Sequence, residues 1–251
     1  MTVSPLFLVV SSTQDALAEA VRDELSRRDL PAAHVTPSAL ASLPVVLTHE
    51  AVSLWGQPLL GVLWRAKPDP QLPTQVPEPD RDFAANEVRA LWAAVLDRPD
   101  VFAVPNLPPE HWLSRARWME WRRHLDAVGI PLSPLCFGAG APGTTWHPYT
   151  DTSASPAPGA HLASAVVAAT GRSGAVTCLV AAGRVCDGED TVVTRRVASW
   201  LSYWEAGPTE VTLDEEGAVL RVDSPAVISQ AACSRIAPLV VEAYLEHLAG
   251  G

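Results

Sequence analysis

Lysine is all but missing from these 251 residues: Lys67 stands alone, and arginine supplies the other 17 of the 18 lysines and arginines. Schiff-base formation, or the P-loop grip on phosphate, must therefore fall to Lys67 or be absent, because a guanidinium is neither a nucleophilic amine nor a compact ammonium. The same composition, low in lysine and high in alanine, arginine, proline and valine, also fits a GC-rich coding bias. Net positive charge is lacking too. A formal charge of -10 and a pI near 5.1 exclude a nucleic-acid groove or an anionic membrane as the main partner, since both recruit basic faces. No apolar run approaches the roughly 20 residues that cross a bilayer. The short run Leu6–Val10 has no basic flank and no small-residue cleavage site, so it does not read as a signal peptide. Cys136, Cys178, Cys186 and Cys233 are scattered without a CxxC pair, which predicts reduced thiols in a cytoplasmic protein.

What is present is enough apolar sequence, 48%, to bury a sizeable core. Leu6–Ser11 reads as a buried strand, and Ala16, Leu17, Ala20, Val21 and Leu25 after it recur at helical spacing, with Ser11 and Ser12 as caps. Ala33–Thr36, Pro44–His49 and Gly61–Arg65 read as further strands, so strand and helix alternate as in an α/β layer. Residues 66–80 hold five prolines and predict an exposed loop with Lys67 at its start. A helix follows to about Asp97, its stripe being Phe83, Val88, Leu91, Trp92 and Val95. Val101–Val104 is a strand, and a helix over about 110–128 ends at Gly129. The Gly, Pro and Ser-rich stretch 138–160 reads as a linking loop, and Leu162–Ala169 fits strand or short helix. Beyond it come a hairpin turning at Ala182 and Gly183, a helix over Thr191–Glu205, a second hairpin turning at Glu215, Glu216 and Gly217, and a closing helix over about Ala231–Leu248.

Across 60–137 the order is a strand ending Leu63-Trp64-Arg65, a loop, a helix with Asp82, Phe83 and Glu87, a strand ending Val104-Pro105-Asn106, a helix, then Gly129-Ile130-Pro131. This order resembles the pre-ATP-grasp part of RimK-like and graspetide-type peptide ligases of the ATP-grasp superfamily. The resemblance implies a mixed α/β fold: a pre-ATP-grasp-like domain over 1–137, then a shortened ATP-grasp-like α+β domain over 161–251. In that family a closing hairpin carries acidic magnesium ligands; here it carries Glu210 and Asp223, but the bridging glutamate position reads Arg221. A guanidinium offers no lone pair to magnesium. Only 114 residues follow Phe137 and none is lysine, whereas the family grips its nucleotide with two lysines in a longer domain. Arg172 or Arg184 would have to stand in on the phosphates.

The remaining motifs have plainer readings. Gly138 to Gly143 resembles a P-loop with Thr144 in the lysine position, and reads as a linker. His147, Tyr149, Asp151 and His161 lie close in sequence, but Pro148 argues against the helix that would gather them. Trp118 and Trp121 on one helix, beside Arg115, Arg117, Arg122 and Arg123, read either as core and solvated face or as an aromatic and basic surface for a partner. Two expectations follow. One is a non-catalytic ATP-grasp-like protein, accessory to a biosynthetic ligase, that needs no cofactor and binds a peptide or protein through Trp64, Arg65, Trp118, Trp121 and Arg122, with exposed tryptophans also suiting a homodimer. The other is a minimal ATP-dependent carboxylate–amine ligase acting through an acyl phosphate, with ATP and magnesium held by Arg172 or Arg184 and by Glu210 and Asp223.

Overall fold

The computed structural model describes residues 4–65, 71–104, 117–133, 135–138, 148–149, 166–168, 176–201, 207–223 and 228–250. The elements run β1 (Leu6–Val10), α1 (Ala16–Arg27), β2 (Ala32–Val35), β3 (Val45–Leu47), β4 (Val52–Leu54), β5 (Gln57–Trp64), α2 (Arg81–Leu96) and β6 (Phe102–Val104). They continue with α3 (Arg117–Ala127), β7 (Leu135–Gly138), β8 (Pro148–Tyr149), β9 (Val166–Ala168), β10 (Val176–Ala181), β11 (Arg184–Asp187), α4 (Val192–Leu201), β12 (Thr209–Leu213), β13 (Val219–Asp223) and α5 (Gln230–Gly250). The result is the mixed α/β architecture that the alternation of strand and helix predicts.

The first sheet has the order β2-β1-β5-β4-β3, with β6 also pairing β5. β2, β1, β5 and β6 are mutually parallel, while β3 and β4 fold back antiparallel onto the start of β5. All five residues of β1 are buried because helices cover both faces. Phe7 and Val9 face α1 and α5 together with Leu63 and Val104, whereas Leu6, Leu8 and Val10 face α2 with Val62 and Trp64. The closeness of α5 is visible at Gly61: a Cβ there would collide with the Phe7 ring and lie 2.8 Å from Tyr244 Cε2, so only glycine fits.

The second sheet is antiparallel, in the order β11-β10-β12-β13. Cys178, Val180, Val211, Leu213 and Val222 line one side against Val197, Ala198 and Leu201 of α4 and Leu125 of α3. Its first hairpin turns at Ala182 and Gly183, both at positive φ, as its sequence predicts. A third, smaller sheet has the order β8-β7-β9. It corrects the reading of 138–160 as one loop, since Pro148–Tyr149 pairs with β7, and it settles 166–168 as strand.

One expected stripe shifts. Phe83 is 69% exposed at the first turn of α2, whose buried residues are Trp92, Val95 and Leu96. α4 buries Thr194, Val197, Ala198 and Leu201, with Val193 and Trp200 partly covered. Trp204, the helix turns before Arg117, Lys67, the P-loop-like run from Ala139 to Thr144, and His147, Asp151 and His161 lie outside the described residues.

Candidate functional site

Two places gather polar side chains expected to act. The first is the carboxyl edge of the parallel strands. The chain leaves β1 through α1 on one face and leaves β5 through α2 on the other, so the boundary between β1 and β5 is where the winding reverses, the usual crevice for a ligand in an open α/β sheet. Ser11 follows β1 there and is fully buried. Its hydroxyl donates to the Ser12 carbonyl at 2.9 Å, and its oxygen lies 2.9 Å from His34 Nε2 at the end of β2. One hydroxyl proton serves one acceptor, so the two contacts are satisfied together when His34 Nε2 is the donor to Ser11. Such a histidine does not activate the serine, and the pair is a brace and not a nucleophile.

Arg65 follows β5, with its amide donating to Val10 O across the switch point at 2.8 Å. Its Nε donates to Asp15 Oδ2 at 3.2 Å, both side chains being 13% exposed. Asp15 is also the N-cap of α1, its Oδ1 accepting from the Ala18 amide at 2.9 Å, so the cap is Asp15 and not Ser11 or Ser12. Among the described residues the two terminal nitrogens of Arg65 have no partner. Burial, reinforced by nearby Asp15, raises the pKa of Cys233, which places the first turns of α5 beside this cluster.

The second place is the β12–β13 hairpin. Its register sets Glu210 opposite Asp223 and Thr212 opposite Arg221. Glu210 is partly buried, and the side chains of Arg221 and Asp223 lie outside the described residues. Burial, with Glu189 and Glu210 adding to it, pushes the neighbouring Cys178 thiol up to about 11, so it is an inert core thiol at neutral pH. Cys186 is likewise buried and free. No group of three or more His, Cys, Asp or Glu able to hold a metal occurs among the described residues. Magnesium takes six oxygens in near-octahedral geometry. The backbone register offers two facing acidic positions, Glu210 and Asp223, with an arginine position two residues along the strand.

The other expected site residues separate. Trp64 is 4% exposed and packs on Trp92 with ring centroids 5.6 Å apart, so it belongs to the core and not to a recognition surface. Arg122 is half-buried, donating from Nη2 to the Ser133 carbonyl at 2.6 Å, and burial lowers its pKa. It ties α3 to the segment ahead of β7 instead of reaching outward. Arg184 is exposed at the start of β11. Arg172 and the side chains of Trp118 and Trp121 lie outside the described residues. Asp15 and His34 were missed; the available signal was a histidine near the carboxyl end of a predicted strand and an aspartate three residues before the helix amide it caps.

No family model matches the chain, and no curated protein matches it by sequence. Solved structures do match by shape. The ATP-grasp ligase PsnB complexed with minimal precursor, Mg and ADP superposes with a TM-score of 0.62 at 15% identity, over 95% of this chain and 98% of that one. The Chryseobacterium gregarium RiPP-associated ATP-grasp ligase, in complex with ADP and a leader and core peptide, gives 0.62 at 8% identity over 97% of each chain. The macrocyclase MdnC of Microcystis aeruginosa, bound with precursor peptide MdnA, gives 0.59 at 8% identity over 95% of this chain and 99% of that one. At such identities the likeness is one of fold: the chain has the fold of these ATP-grasp ligases.

Proposed function

We propose that this chain binds a peptide through an ATP-grasp scaffold and performs no ligation itself, serving as an accessory to a biosynthetic ligase. The observation that carries the reading is the β12–β13 ladder, in which Glu210 faces Asp223 and Arg221 stands two residues along the strand, opposite Thr212. A cation there would repel magnesium, and no lysine follows Lys67 to hold phosphates. Peptides accompany several ATP-grasp ligases of the same fold, which supports a peptide as the partner. Arg65 and the helix bearing Trp118 and Trp121 are the residues assigned to it.

A second reading, a minimal ATP-dependent carboxylate–amine ligase, is favoured by the facing register of Glu210 and Asp223 and by the Mg and ADP in the PsnB complex. Thermal unfolding with and without millimolar ATP and magnesium separates the two. A ligand of the folded state at 100 times its Kd stabilises by about 2.7 kcal/mol. The expected outcome is an unchanged Tm; a clear rise would establish nucleotide binding and favour the ligase. For the partner, the protein co-expressed with short reading frames beside its gene should retain one peptide on purification, and Trp118→Ala with Trp121→Ala should weaken that retention.

A further inference from the structure

Among the described residues β3 closes one side of the first sheet, and its edge is open, apolar and held still. The stretch from Leu43 to Thr48 has no charged residue, in a chain of formal charge -10. Val46 is 58% exposed, and Leu47 and Trp55 in the same ribbon are exposed as well. Edge strands are commonly blunted by a charge, a bulge or a proline, and none of these interrupts Val45–Leu47. The hairpin that carries the edge is clamped at its tip. Arg98 donates from Nη1 to the Thr48 carbonyl at 2.7 Å and, more weakly, from Nη2 to the His49 carbonyl at 3.5 Å. Asp100 in turn holds Nε and Nη2 of Arg98 at 2.6 and 2.9 Å, so the edge is presented already ordered.

The β3–β4 ladder fixes which backbone groups point outward. The Trp55 amide donates to the Pro44 carbonyl and the Thr48 amide to the Ala51 carbonyl. Bonded and non-bonded pairs alternate, so Val46 turns its N–H and C=O toward Ser53 of β4, while Val45 and Leu47 turn theirs to the free edge. The Val45 amide is taken by the Leu43 carbonyl. The Val45 carbonyl and the Leu47 N–H remain, one on each side of Val46. They are complementary across a two-fold axis: in two antiparallel copies centred on Val46, each Leu47 N–H meets the other copy's Val45 carbonyl. A disordered peptide would lose backbone freedom at every residue it laid down for those two bonds. A second copy brings the same edge already ordered by its own Arg98, and the uncharged strip adds no like-charge repulsion.

We propose that β3 pairs antiparallel with β3 of a second copy about a two-fold axis at Val46, joining the two first sheets into one. This pairing does not depend on the peptide-binding role proposed above.

Sedimentation velocity of the full chain at increasing concentration should show reversible passage from the 26.7 kDa monomer toward twice that mass. Leu47→Pro removes the outward donor and leaves the bonds to β4 in place; acting twice by symmetry, it should weaken the dimer at least about tenfold. Val46→Lys sets two ammonium groups against each other on the axis and should weaken it as much. Cross-linking reads the register. Facing Cα atoms of a non-bonded antiparallel pair lie about 4.5 Å apart, within disulfide reach, so Val46→Cys should give a covalent dimer under mild oxidation. Ser53→Cys, on the same face but one strand further from the axis, should not, and the parent treated alike controls for the native thiols. Should Leu47→Pro fail to fold, the two cysteine variants carry the test. A chain that stays monomeric at every concentration would overturn the pairing and leave the edge to an extended peptide. A dimer indifferent to both Leu47→Pro and Val46→Lys, or equal cross-linking of Val46→Cys and Ser53→Cys, would overturn it as well.

Discussion

Tyr244 lies against Phe7 and Phe102, with ring centroids 4.8 and 5.8 Å away, and its hydroxyl is buried without a hydrogen-bond partner among the described residues. Burial pushes its pKa up to about 12, against about 10 in an unfolded chain. Between those values the folded state keeps a proton that the unfolded state has lost, so stability falls as pH rises through that window. Tyr244→Phe removes both the unpaired hydroxyl and the titration. Urea unfolding at neutral pH should show it more stable by about 1 kcal/mol, and repetition at alkaline pH should show a flatter decline than the parent. Backbone demands are equally local. Trp55 and Gly56 both sit at positive φ in the turn between β4 and β5, an unusual place for a tryptophan and one that leaves it 48% exposed.

The β12–β13 hairpin depends on one buried carboxylate among its elements. Asp214 Oδ1 accepts from the Glu216 and Ala218 amides, each at 2.9 Å, while Gly217 supplies the positive φ that closes the turn. Asp214→Ala strands two donors and should lower stability by roughly 1–3 kcal/mol. Asp214→Asn retains an oxygen acceptor and should lose less; the urea midpoint at constant m value is the measurement. Helices were the elements most legible beforehand, because a repeat of Leu, Val and Trp every three or four residues marks one buried face whatever lies against it. The three-residue β4 was harder. Its pattern is too short to show a period, and the tryptophan in the turn after it hides a signal that Gly56 alone preserves.

Across the whole molecule α5 joins the two larger sheets. It packs on α1, Phe7 and Val9 of the first sheet, and on Ala181 and Cys186 of the second, with Arg235 paired to Asp187 at 2.9 Å. Ile236→Ala should therefore cost roughly 2–5 kcal/mol, and native-state hydrogen exchange should show amides of β1 and β10 losing protection together. Loss confined to β1 would mean that the sheets open independently. By itself the sequence determined the mixed α/β class, the helices, the hairpin at Ala182 and Gly183, and the scarcity of lysine, all of which follow from local spacing or composition. Only the tertiary structure decided which face each tryptophan and arginine takes. Trp64 sits one residue before Arg65, yet Trp64 is sealed under α2 on Trp92 while Arg65 emerges at the switch point beside Asp15. Strand alternation turns neighbouring residues to opposite faces, but which face is core and which end is open depends on helices contributed from distant parts of the chain.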